Sequence, residues 1–74
     1  MENEKLMEQL EIVRHGGNVN MLDFNGVLHD ATNRGLDILT DWMHDHTFND
    51  YGKMLFGEFS NWRMVQDEEE FGAN

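Results

Sequence analysis

Between Asp23 and Gly35 the apolar residues Phe24, Val27, Leu28 and Ala31 fall at i, i+3, i+4 and i+7. That spacing puts all four on one face of an α-helix and does not fit the two-residue period of a strand. It constrains the chain more than any other feature, because both ends are specified as well. Asp23 stands where an N-cap carboxylate accepts the first orphan amides. Gly35 suits the left-handed residue that closes a helix. Leu22, just before the cap, is placed to staple onto Val27.

The same period recurs on either side. From Asn3 to His15, Leu6, Leu10 and Val13 share a face, with Met7 and Ile12 beside them. Acids gather at the start of this segment and Arg14-His15 at its end, as the helix dipole favours, and Gly16-Gly17 stops it. From Leu36 to His46, Leu36, Leu39 and Met43 form one stripe and Ile38 and Trp42 a second, leaving Asp37, Asp41 and Asp45 on the opposite face. Thr47 reads as the next N-cap, with Asp50 three residues on as its capping-box acid, and Phe48, Tyr51, Leu55 and Phe59 continue the apolar spacing.

Residues 60–66 suit two conformations. Trp62, Met64 and Gln66 alternate with Arg63 and Val65 as in a strand, while Trp62 and Val65 also fit a short helix capped by Ser60. A lone strand would have no partner, so helix or irregular chain is expected. Met21, Met43, Met54 and Met64 lie in or beside apolar stripes and are expected in the core. The expected architecture is all-α: a small compact bundle of three to four short helices. Residues 1–66 form one domain and residues 67–74 a frayed, disordered acidic tail.

Composition narrows the function. The 74 residues hold 15 Asp+Glu against 5 Lys+Arg, a formal net charge of -10, and no cysteine. Without a basic surplus, direct binding to nucleic acid is not expected. Without thiols there is no disulfide, zinc-thiolate site or cysteine nucleophile. No apolar run approaches the length of a membrane span. Met1-Glu2-Asn3-Glu4 does not open a secretory signal, so a cytoplasmic location is expected.

The strongest apparent chemical cluster is Asp41, His44 and Asp45, at i, i+3 and i+4, which could converge on a metal. The simpler reading is a solvated helix end, with His44 and His46 beside the negative end of the dipole. No hydroxyl has a His and a carboxylate placed beside it. Gly16-Gly17 has no Gly-Lys-Ser/Thr after it and is not a phosphate loop. No enzymatic activity, cofactor or metal is therefore expected.

Asn20-Met21-Leu22-Asp23, Val27, Arg34-Gly35-Leu36, a Leu39-containing helix closing in His44-Asp45-His46, and Leu55-Phe56-Gly57-Glu58 together form a recurring pattern. In it the chain, from about Leu10 to Glu58, resembles a family of short uncharacterised phage and prophage proteins whose core reads N-M-[LF]-D-x-x-x-V. The family carries no assigned activity, so the resemblance implies an origin and a fold. By analogy it also favours one of two readings of the acidic faces. In the first, the carboxylates only keep a small domain dispersed, as in a homo-oligomeric structural or regulatory phage protein. In the second, they occupy the basic nucleic-acid groove of a host defence protein, such as a CRISPR effector or restriction enzyme. The second is the expected function: Asp37, Asp41 and Asp45 steer the encounter, and Tyr51 and Trp62, as exposed aromatics, anchor it.

Overall fold

The computed structural model describes the backbone of residues 2–72 and the side chains of residues 3–66. The chain runs α1 (Glu2–Gly16), α2 (Phe24–Arg34), α3 (Asp37–Asp45) and α4 (Phe48–Met54), then a π turn (Leu55–Phe59) and α5 (Ser60–Gly72). No strand occurs among the described residues.

Local chemistry sets most of the boundaries. The Asp23 carboxylate accepts from the Gly26 amide at 3.1 Å, opening α2. Gly35 closes it at φ 73°. The Leu36 amide reaches back to the Ala31 carbonyl at 3.0 Å and the Gly35 amide to the Thr32 carbonyl at 3.1 Å, a Schellman closure. Thr47 and Asp50 cap α4 reciprocally, side chain to backbone, at 3.2 Å in each direction.

The start of α3 has no such local signal. Its N-cap position is Leu36, whose side chain cannot accept a hydrogen bond. Gln9 of α1 supplies the acceptor instead: its Oε1 takes the Leu39 amide at 2.8 Å across thirty residues of sequence. One of the orphan donors at this helix start is therefore satisfied by tertiary structure.

The segment from residue 60 is helical, one of the two forms expected of it, but Ser60 does not open that helix. Ser60 has helical angles, φ −60° and ψ −45°, so it caps nothing. Helical backbone continues from Phe48 to Gly72, interrupted only in pitch by the π turn. The π turn has a packing cause. At about 100° per residue, Phe59 would lie about 80° round the helix from Tyr51. One π turn takes up an extra residue and sets the rest back by about that angle. Phe59 then falls in line with Tyr51, Met54 and Leu55, and all four are buried. Around them sit Leu6, Met7, Leu10 and Val13 of α1, Val27 and Ala31 of α2, and Leu39 and Met43 of α3.

Three apolar residues expected inside are not there. Phe48 is 60% exposed and Met64 64% exposed. Leu22 is 56% exposed, while its neighbours Val19 and Met21 pack on the core. The tail expected over residues 67–74 carries the last turns of α5 as far as Gly72, while its side chains and final two residues lie outside the described residues.

Candidate functional site

Leu39 and Met43 turn α3's apolar face into the core, which points the opposite face outward. Asp37, Asp41 and Asp45 are all exposed on it. Successive carboxylates are offset by about 6 Å along the axis, one helical turn apart. Among the described residues none of the three forms an ion pair, and the arginines pair with other carboxylates. Arg14 grips Glu11 with both Nε and Nη2 at 2.7 Å. Arg63 of α5 reaches the same carboxylate at 3.4 Å, and Arg34 pairs with Asp30 at 2.7 Å. The Arg14 hydrogen bond holds Glu11 below the usual carboxylate range, against the opposing effect of burial. The three arginines are thus paired with Glu11 and Asp30, and no ion pair falls on the α3 row among the described residues.

The two aromatic anchors fare differently. Tyr51 is 1% exposed and cannot touch a partner. Its ring meets Phe24 edge to face at 5.4 Å, and its hydroxyl donates to the Met21 carbonyl at 2.6 Å. The expectation of an exposed Tyr51 is overturned because the residue joins α4 to the loop before α2. Trp62 is partly buried and stacks on Phe59 with 6.1 Å between ring centroids. It lines an open groove of about 550 Å³ between α5 and the start of α1, together with Met7, Val65, Glu4 and Glu58. Its indole Nε1 is buried and has no hydrogen-bond partner among the described residues.

The histidine pair sits at the end of α3. His46 stacks flat on Trp42, with centroids 4.0 Å apart and planes 8° off parallel. Its Nδ1 lies 2.7 Å from the Trp42 carbonyl and donates to it, so the ring closes the helix end. Among the described residues no three His, Asp or Glu side chains gather in a way that could hold a metal ion. Again among the described residues, no helix is long and apolar enough to cross a membrane.

Sequence reasoning missed the most exposed large apolar residue, Phe56, at 71%. The signal was present: Phe56 follows Leu55 directly and so lies about 100° round from the stripe of Tyr51, Leu55 and Phe59. The role of Gln9 left no comparable trace, since nothing near it in sequence marks it as a cap.

No curated protein and no solved structure matches the chain. Residues 1–58, from α1 into the π turn, match the family model described as Domain of unknown function (DUF5049). With that match spanning α1 to α4, the chain belongs to the DUF5049 family.

Proposed function

We propose that this chain is a phage-type protein that binds and inhibits a host nucleic-acid-handling defence protein, of the CRISPR-effector or restriction-enzyme kind. It acts in the host cytoplasm, as a binder and without catalysis. The observation that carries this reading is the row Asp37, Asp41 and Asp45, exposed on one face of α3 with no cation on it among the described residues. Like charges one turn apart destabilise a helix by a few tenths of a kcal/mol per pair. A cationic groove that normally holds phosphates converts that unfavourable field into attraction and speeds encounter. Trp62, half-buried where it lines the groove between α5 and the start of α1, leaves the remaining part of its ring for the partner to cover. The N-M-L-D core at Asn20–Asp23 supports the phage assignment by resemblance.

The test is inhibition of nucleic-acid cleavage by such an enzyme, with binding measured from low to high salt. Wild-type protein should bind more weakly as salt rises. Reversing all three charges (Asp37→Lys, Asp41→Lys, Asp45→Lys) should weaken binding at least about ten-fold and flatten its salt dependence. Equal binding with an unchanged salt response would refute the proposal.

A further inference from the structure

We infer that the outward face of the long helix from Phe48 to Met64 is a self-association surface, on which a second copy of this chain docks antiparallel. Three large side chains stand out of this face: Phe48 at 60% exposed, Phe56 at 71% and Met64 at 64%. Between them lie small residues, Gly52 and Ser60, so that large and small alternate every fourth position from 48 to 64. In a uniform α-helix that series would drift about 160° round the axis. The π turn sets its second half back by about 100°, which leaves a stripe about 60° wide.

Gly52 gives the second reason. A Cβ built on it meets nothing within 4 Å, so the chain's own packing does not require glycine there. Yet glycine within a helix destabilises it relative to alanine. A body approaching from outside does gain from the missing side chain. Laid antiparallel about a two-fold axis near residue 54, Phe56 of one copy faces Gly52 of the other and Phe48 faces Ser60. Both contacts repeat by symmetry, as an isologous interface demands.

Charge selects the occupant. Residues 48–64 hold Asp50, Glu58, Lys53 and Arg63, a neutral balance in a chain of net charge -10. Asp50 is engaged in capping Thr47, and Glu58 lines the groove shared with α1. A basic partner finds no field to recognise here. Two strongly negative copies, by contrast, meet with least repulsion on this face. Phe48 and Phe56, the two large side chains that this register pairs, expose roughly 100–150 Å² each, about a third of the ~800 Å² per partner of a stable interface. The dimer is accordingly weak.

Sedimentation equilibrium over about 1–500 μM protein, at low and high salt, tests this. The mean mass should rise from 8.7 kDa toward twice that value, and higher salt should strengthen association by screening the remaining repulsion. Phe56→Asp, at an exposed site, should weaken it at least about ten-fold while circular dichroism stays helical. Gly52→Ala separates folding from docking: it should raise the melting temperature of the monomer and weaken the dimer several-fold. A monomeric mass throughout overturns the inference, leaving the face to a different partner. So does a dimer indifferent to Phe56→Asp, or one that Gly52→Ala tightens. None of these variants touches Asp37, Asp41 or Asp45, so the result stands apart from the inhibitor reading.

Discussion

Replacing Tyr51 by Phe removes one oxygen from the centre of the molecule and keeps the ring. The hydroxyl donates to the Met21 carbonyl at 2.6 Å, while the ring keeps its edge contact with Phe24. A neutral hydrogen bond of this kind contributes about 1 kcal/mol, with a further cost where the carbonyl left behind is shielded from water. Tyr51→Phe should therefore destabilise the fold by about 1–2 kcal/mol. The effect carries a pH signature. Burial, with the nearby Asp23 charge adding to it, pushes the phenol up to about 12 from its ordinary 10.0. Below pH 10 the phenol is neutral in both folded and unfolded chains, and its contribution is fully present. Between pH 10 and about 12 the unfolded phenol ionises while the folded one does not, so stability falls with rising pH. At 1.36 kcal/mol per pH unit the loss is at most about 2.7 kcal/mol. Solvent beside the Met21 loop screens part of it, leaving about 1–2 kcal/mol. Tyr51 is the only tyrosine, so phenolate absorbance reports this one group. Urea unfolding of wild type and Tyr51→Phe, followed from pH 9 to 12, should show the wild-type advantage shrinking through that window. An advantage that stays constant with pH, or no advantage at pH 8, would refute the reasoning.

Two further outcomes follow from the caps. Gln9→Ala should cost about 1–2 kcal/mol, because the Leu39 amide loses its acceptor where no local residue can replace it; Gln9→Glu, which still accepts, should restore most of that in thermal melts. Hydrogen bonds from the Thr47 backbone and side chain hold Asp50 below its ordinary 3.8. The stability this confers is present above that value and lost as pH falls below it, and acid titration of Asp50→Asn should lack that component. Thr47→Ala should cost about 1 kcal/mol at neutral pH.

The helices themselves were legible because their causes are local. Phe24, Val27, Leu28 and Ala31 lie on one stripe whatever packs against it. Asp23, Gly35 and Thr47 act on amides a few residues away, and the structure finds all three caps in place. The acidic face of α3 was legible for the same reason: once Leu39 and Met43 turn inward, helical geometry fixes Asp37, Asp41 and Asp45 outward. Ser60 misled because a hydroxyl residue reads as a cap only if the preceding chain is not already helical, and here it is.

The amino-acid order alone thus determined helices α1 to α4, the caps at Asp23, Gly35 and Thr47, and the sign and side of the charge on α3, since each depends on neighbours within about one helical turn. The tertiary structure decided which aromatics are surface and which are core. Tyr51 went inside because the Met21 loop folds over it, and Phe48 and Phe56 stayed out because no other element covers their side of the helix. It also decided the π turn and the Gln9 cap. A pitch change answers to the partners that Phe59 must meet, and the Leu39 amide is capped by a side chain thirty positions away. Such contacts exist only after the helices have packed, so no periodicity in the chain could encode them where it could be read.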